Sequence, residues 1–440
     1  MNILFILPEY YPHSGGGIST YYLHFIKALK SNVNKISVMV GSGYTQSDDT
    51  FNIDGIEIEY LKPNIFQRYK AHFSKFDLVP EYRNNLAASW AMWEQCKKGE
   101  GFDIVECVDF GLGFVPWICE GNLPVITRLH GSTGQIQLKE VFIHDDLNGD
   151  MHRHTEYILL GLSNELVTHS NANKKYWETI FTEKKINLIY PIYKSNLGNF
   201  ASYNEKENVG IVCARIQEWK GPDVLCRALS SMLNSNIIIN WYGRDTNYNC
   251  EISKGEQLEK EFPLIWGNKV IPKTMISNDE LLRIQYKAMY AIIPSTWDMF
   301  NFTGLEYMSV GTPIICSDGA GFSELIEDGI NGFKYDKNNH HDLANHIINI
   351  TSLGSPKYEE IVENAKNTLL TTLDSDKLIS ENLKIYTQLL TDFKSIGNNI
   401  FIKSLYYPEI SLNKLDYLLN KLPFKLLLSY FLKRIFKKLA

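Results

Sequence analysis

The chain has 440 residues, 44% of them apolar and 21% charged, which excludes a largely disordered or fibrous protein and allows roughly two to three domains. With 44 Lys and Arg against 50 Asp and Glu the formal charge is −6, so nothing in the overall balance draws the chain to nucleic acid. The seven cysteines are scattered and form no CxxC pair, so neither a disulfide framework nor a structural zinc site is indicated, and a reduced, cytoplasmic compartment is the simplest reading.

Met1-Asn2 leads straight into Ile3-Leu4-Phe5-Ile6-Leu7, with no basic segment ahead and Glu9 soon after. This reads as a buried first strand rather than a secretory signal. No apolar run reaches the roughly 18–20 residues that a bilayer span requires. The pattern predicts a strand over Ile3–Pro8, then a helix opened by Gly15-Gly16-Gly17, with Tyr22, Leu23, Phe25, Ile26 and Leu29 at helical spacing. Further strands are predicted at Lys35–Val40, Asp103–Val108, Pro124–Leu129 and Leu166–Ser170. A helix through Lys174–Phe181 and a short strand at Asn187–Tyr190 follow. The polar stretch Tyr193–Asn208 lacks an apolar period and marks a boundary.

The alternation then restarts: strand Gly210–Ala214, helix Pro222–Leu233, strand Ile237–Trp241, extended Val270–Pro272, helix Asp279–Lys287 and strand Tyr290–Pro294. Helix Thr303–Val310, strand Pro313–Ser317 and a short helix Ser323–Glu327 complete it. Strands that alternate with helices predict parallel sheets covered on both faces. The expected architecture is therefore α/β, with two tandem Rossmann-like, doubly wound domains. Ligands of such sheets bind outside the carboxyl ends of the strands, so the default site is the cleft between the domains.

Three features carry chemistry. Pro294 to Pro313 reads as strand end, loop and helix start, with Asp298 and Glu306 separated by seven residues. A carboxylate in the first turn of that helix can accept two hydroxyls of a sugar ring. The helix start would also suit an anionic phosphate. Two solvated acids flanking an ordinary turn are the plainer alternative. Arg215-Ile216-Gln217-Glu218-Trp219-Lys220-Gly221 follows the first strand of the second half. Its two cations can neutralise a departing diphosphate, or are simply surface charges. The Gly15–Gly17 run permits close backbone approach to a ligand. It is not GxGxxG and lacks the acidic residue some twenty positions on, so a nicotinamide site is poorly supported.

In order and spacing these features resemble the retaining GT-B glycosyltransferases of family 4. Their pattern is R-x4-K, then E-x7-E, then G-T-P and a G-G-x-x-E-like stretch. This chain offers Arg215…Lys220, Asp298…Glu306, Gly311-Thr312-Pro313 and Asp318-Gly319-Ala320-Gly321-Phe322-Ser323-Glu324. Arg128-Leu129-His130-Gly131 in the first half also fits, and the resemblance spans roughly residues 1–395.

The resemblance implies transfer of a hexose-type sugar, with retention of configuration, from a nucleotide diphosphate sugar to a glycan or lipid-linked acceptor. The setting it suggests is bacterial cell-surface polysaccharide synthesis, lipopolysaccharide included. No metal or other cofactor is implied. Arg215 and Lys220 would hold the diphosphate, Glu306 the ribose hydroxyls and Asp298 the sugar hydroxyls. Phe300, Asn301, Phe302 and Thr303 would line the donor site, Gly16 and Gly17 would face its phosphates, and His130 would stand near sugar and acceptor. Asp298 replaces the usual Glu, and its carboxylate falls about 1.5 Å shorter. Asn301 replaces the usual Gly. A nucleotide-sugar epimerase on this fold, or a silent binding subunit of a transferase complex, are the alternatives. His144-Asp145-Asp146 lacks the arrangement of a metal site.

The domains are read as 1–195 (acceptor side), 207–375 (nucleotide-sugar side), 376–398 (a helix returning to the first domain) and 399–440 (a basic tail). From 399 onward eight basic residues face two acidic ones, a charge of +6 against −12 for the rest. Phe424, Leu427, Leu428, Phe431, Leu432, Ile435, Phe436 and Leu439 share one face of a predicted helix, with Lys and Arg opposite. Such a helix suits an anionic membrane surface through 411–440, and a cytoplasmic enzyme peripheral on the inner face of the membrane. The alternative is that it packs on the acidic body.

Overall fold

A computed structural model describes residues 1–13, 16–140, 146–193, 200–249, 251–395, 400–409 and 419–439. The first sheet has eight strands in the order β3-β4-β2-β1-β5-β6-β7-β8. They are β1 (Asn2–Leu7), β2 (Lys35–Val40), β3 (Thr50–Ile53), β4 (Ile56–Tyr60), β5 (Ile104–Val108), β6 (Val125–Leu129), β7 (Glu165–Thr168) and β8 (Ile186–Leu188). All neighbours run parallel except the edge strand β3, which turns back on β4. Its helices are α1 (Gly17–Leu29), α2 (Pro63–His72), α3 (Pro80–Gln95), α4 (Val115–Glu120), α5 (Thr133–Gln137), α6 (Asp146–Leu159) and α7 (Asn171–Ile180).

The second sheet is wholly parallel, in the order β11-β10-β9-β12-β13-β14. It comprises β9 (Glu207–Cys213), β10 (Ile239–Tyr242), β11 (Val270–Lys273), β12 (Ala288–Ile293), β13 (Ile314–Ser317) and β14 (Phe333–Tyr335). Around it lie α8 (Pro222–Ser230), α9 (Lys254–Glu261), α10 (Asn278–Lys287), α11 (Thr303–Ser309), α12 (His340–Thr351) and α13 (Ser355–Thr372). The apolar runs read from the sequence are these strands: β5, β6 and β13 are buried at every position, as a sheet covered on both faces requires.

Strand order reverses between β1 and β5 in the first sheet and between β9 and β12 in the second. The loops that leave these strands open crevices at the carboxyl edges, the ligand positions of doubly wound sheets. One continuous core joins the α1 face of the first sheet, the inner part of the second domain and a returning helix, α14 (Ser375–Asp392). Separate clusters fill the α3 side of the first sheet and the α8 side of the second.

The segment expected to form a single tail divides. α15 (Ile400–Tyr406) packs on the first domain, with Ile402 and Tyr406 buried beside Trp90. Helix Phe424–Leu439 stands exposed.

Candidate functional site

The second-domain half of the cleft is built by the loops after β9 and β12, which are adjacent strands. Behind β9 the chain makes a single turn through Glu218–Lys220 and then Gly221 at φ +75°. A Cβ at Gly221 would lie 1.9 Å from the Pro294 carbonyl oxygen, so only glycine lets the two loops touch. That contact brings Lys220 Nζ to 2.5 Å from Asp298 Oδ2, with the ammonium 4.0 Å from the centre of the Trp219 ring. Lys220 is 13% exposed and Asp298 11%. Burial pulls the Lys220 pKa down, and the charge and hydrogen bond of Asp298 oppose it. Arg215 is exposed beside them, its guanidinium 5.9 Å from the Trp219 ring.

The loop after β12 explains one departure from the family pattern. Asn301 sits at φ +81°, in the left-handed region that Gly and Asn tolerate best. Its Nδ2 donates to Asp298 Oδ2 at 2.9 Å. Asparagine thus keeps the glycine conformation and adds a clamp on the shortened acid. Both side-chain bonds to Asp298 fall on Oδ2, which leaves Oδ1 as a further acceptor. Asn301→Gly is expected to hold the melting temperature within the equivalent of about 1 kcal/mol, whereas Asn301→Val should cost about 1–3 kcal/mol of stability by differential scanning fluorimetry.

α11 starts at Thr303, so Glu306 occupies its first turn as the spacing predicted. Glu306 Oε2 accepts from the Gln285 side chain at 2.9 Å. Burial raises the Glu306 pKa, and the Gln285 bond works against it. The Thr303 hydroxyl bonds Asn301 Oδ1, and Phe302 lies partly buried with its ring 5.9 Å from Tyr21 across the cleft. Phe300 stands apart from the other loop residues. Its side chain is 2% exposed and packs in the core against Phe302 and Phe322. It cannot line a donor site with that side chain, because the loop turns it inward to anchor the loop itself.

From the first domain, Gly16 precedes α1 and Gly17 is its first residue; Gly15 lies outside the described residues. The Glu9 carboxylate reaches this helix start and accepts from Ser19 N at 3.4 Å. His130 follows β6. Buried Asp109, after β5, accepts from the His130 and Gly131 backbone N–H groups at 2.8 and 3.2 Å. Burial pushes Asp109 up to about 7. The next turn is held by buried Glu156, which accepts from the Ser132 hydroxyl at 2.7 Å and from Gly134 N. The His130 ring stands 4.8 Å from Tyr21 and 4.8 Å from His169, centre to centre. His169 Nδ1 bonds the Ile189 carbonyl at 2.9 Å, which makes Nε2 the bare nitrogen. Nε2 of each histidine is buried without a partner among the described residues. Burial keeps both neutral, His169 at about 3.

The domains meet across the cleft. Glu324 caps α7 of the opposite domain, accepting from the N–H of Asn171 at 2.9 Å and of Ala172 at 3.0 Å. Glu140 of the first domain accepts from Trp219 Nε1 at 3.3 Å and from the Gln217 amide. A Cβ on Gly131 would stand 3.0 Å from Met299 Cγ. His169, Gln285 and Glu140 were not singled out from the sequence. His169 lies at the carboxyl end of a predicted strand, the one local signal available. His144-Asp145-Asp146 falls outside the described residues but for the first residue of α6, and no cluster that could hold a metal occurs among the described ones.

Residues 199–368 match the family described as glycosyl transferases group 1. Over 417 residues, 88% of this chain and 98% of the relative, the sequence is 24% identical to an uncharacterized glycosyltransferase of Methanocaldococcus jannaschii. Over 191 residues, 41% of this chain and 42% of the relative, it is 24% identical to a D-inositol 3-phosphate glycosyltransferase of Nocardioides sp.. Sucrose-phosphate synthase of Thermosynechococcus elongatus superposes with TM-score 0.68 at 15% identity, over 89% of this chain and all of that one. Anabaena HepE, solved in complex with UDP and glucose, superposes with TM-score 0.61 at 16% identity, over 88% of this chain and all of that one. These findings support a GT-B glycosyltransferase. The fold is GT-B, with the family match on the second domain, where Lys220, Asp298 and Glu306 meet the cleft. Nothing among these similarities favours the epimerase or the silent subunit.

Proposed function

We propose that this protein transfers a hexose-type sugar, with retention of configuration, from a nucleotide diphosphate sugar to a glycan or lipid-linked acceptor in the cytoplasm, in the assembly of a bacterial cell-surface polysaccharide. The observation that carries the reading is the pairing of Lys220 with Asp298 at the strand-order switch point, with Glu306 on the next helix. The ribose hydroxyls bind Glu306, whose burial makes each hydroxyl bond count. The diphosphate binds Arg215 and the free side of the Lys220 ammonium, and the sugar hydroxyls reach Asp298 Oδ1. As the glycosidic bond breaks, charge grows on the departing diphosphate, and the two cations stabilise it there. The acceptor hydroxyl attacks from the face the diphosphate leaves, and a diphosphate oxygen takes its proton. No side-chain nucleophile is invoked. His130, neutral and held by Asp109, presents an uncharged edge to the sugar.

The test is nucleotide release from UDP-, GDP- and ADP-sugars in the absence of acceptor, at donor concentrations below KM. One donor is expected to yield diphosphate with the wild type, and Glu306→Ala should release it about 100-fold more slowly. Equal release by Glu306→Ala removes the ribose assignment. No release from any donor, with no donor raising the melting temperature, removes the transferase reading.

A further inference from the structure

Helix Phe424–Leu439 carries an apolar face that nothing among the described residues covers. At 100° per residue Phe424, Leu428, Phe431, Leu432, Ile435 and Phe436 fall on one side. All six are exposed, Phe424 by 75%, Phe431 by 62% and Phe436 by 68%. Arg434 and Lys438 flank this face, Lys425 falls within its arc at the first turn, and Lys433 and Lys437 lie opposite it together with exposed Leu426 and Tyr430. Residues 419–439 hold six basic side chains and no acidic one.

These facts choose among occupants. Among the described residues the acidic body does not cover the face, although its charge would favour such packing. A second copy of the helix would bring like charges together, with no Glu or Asp to pair them across an interface. A bilayer span is excluded by length and charge, since 16 residues rise only about 24 Å. An anionic lipid surface answers both halves of the pattern. The acyl boundary takes the aromatic and aliphatic side chains, and the phosphates take the Lys and Arg that snorkel beside them.

The attachment point adds direction. Fifteen or more residues ahead of the helix the chain is fixed to the first domain: Trp90 Nε1 donates to the Tyr406 carbonyl at 2.9 Å, and Lys75 pairs with Glu409 at 3.1 Å. The helix is therefore tethered to the acceptor-side domain.

We propose that Phe424–Leu439 docks this protein peripherally on an anionic phospholipid surface, lying in the headgroup plane on the inner face of the membrane. Docking of this kind holds the acceptor-side domain close to a lipid-linked acceptor; that last step rests on the transferase reading, and the docking does not.

The experiment is co-sedimentation of the full-length protein with vesicles of mixed phosphatidylglycerol and phosphatidylcholine, against phosphatidylcholine alone. Two double variants run alongside, Phe431→Glu with Phe436→Glu and Lys433→Glu with Lys437→Glu. Wild-type protein is expected to bind the anionic vesicles about tenfold or more tightly than the neutral ones, and each double variant to lose about tenfold or more. Donor hydrolysis and melting temperature should stay unchanged in both variants, because these side chains touch no core. Equal binding to neutral and anionic vesicles overturns the proposal, as does wild-type binding by the Phe431→Glu, Phe436→Glu variant. A solution dimer that this variant dissolves also overturns it, by assigning the face to a second copy. A chain that docks yet hydrolyses no donor leaves the docking standing and removes the transferase reading.

Discussion

Replacing Lys220 by alanine is expected to lower donor turnover by about 10²–10³-fold, the scale of one lost charge-stabilising donor in a closed site. The loss should appear in kcat. In the proposed reaction the ammonium faces a diphosphate that is most negative as it departs, so its contribution would be larger in the transition state than in the bound donor. Glu306→Ala should divide differently. Ribose hydroxyls change little along the reaction, so that substitution raises KM and leaves kcat closer to wild type. The structure adds a complication that the sequence did not contain. Lys220 also neutralises Asp298, which is 11% exposed in the intact pair, and the alanine variant leaves that carboxylate with the Asn301 amide as its remaining side-chain partner among the described residues. Lys220→Ala with Asp298→Asn separates the two effects. If the diphosphate contact dominates, the double variant stays as slow as the single. If most of the activity returns, Lys220 serves the carboxylate, and the diphosphate assignment to it is wrong.

The parts of this site that could be read from the chain are those set by local chemistry. A strand that ends in a loop followed by an apolar-periodic helix is visible in one dimension. Lys220 and Glu306 were therefore placed at helix starts correctly, and β5, β6 and β13 emerged from their apolar runs. The β3–β4 hairpin shows the opposite case. Asp54-Gly55, with φ of +52° and +75°, is a two-residue turn signal between extended segments. The signal was present, but Thr50–Ile53 is a half-exposed edge strand without the apolar run that drew attention elsewhere. α3 was invisible for another reason. Ten of its 16 residues are buried, on all sides, so it has no polar face to set a period. Gln285 and His169 acquire meaning only from partners more than 15 residues away. Phe300 was read as a donor-site residue because it stands in the motif, yet the loop sends Met299 and Phe300 to the core and leaves Asp298, Asn301 and Phe302 partly exposed.

Arg128 is the residue on which stability should depend most. The motif Arg128-Leu129-His130-Gly131 placed it beside a candidate catalytic histidine, but the structure buries it completely, paired with an equally buried Glu106. Its Nε donates to Glu106 Oε1 at 2.7 Å, and Nη2 donates to Glu106 Oε2 at 3.1 Å and to Asn382 Oδ1 at 2.9 Å. Tyr22 donates to Glu106 Oε1 at 2.9 Å, and the Tyr386 hydroxyl donates to Glu106 Oε2. Asn382 and Tyr386 belong to α14, the helix that returns from the second domain, so this network ties the two domains together by the polar core of the first.

A buried ion pair gives little net stability over an apolar equivalent, but breaking it strands a charge. Arg128→Met is therefore expected to cost about 3–5 kcal/mol in urea unfolding of the first domain. Asn382→Ala removes one bond to a charged group and should cost about 1.5–3 kcal/mol. Glu106→Leu combined with Arg128→Met should recover much of the single loss, because no charge is then left unpaired. A cost for Arg128→Met below about 1 kcal/mol would show that water reaches the site and solvates the orphaned carboxylate. The ordering of the three variants also bears on function. If α14 is what holds the cleft in register, Asn382→Ala should slow donor release more than its stability loss implies, since it loosens the tie between domains and leaves Lys220, Asp298 and Glu306 untouched.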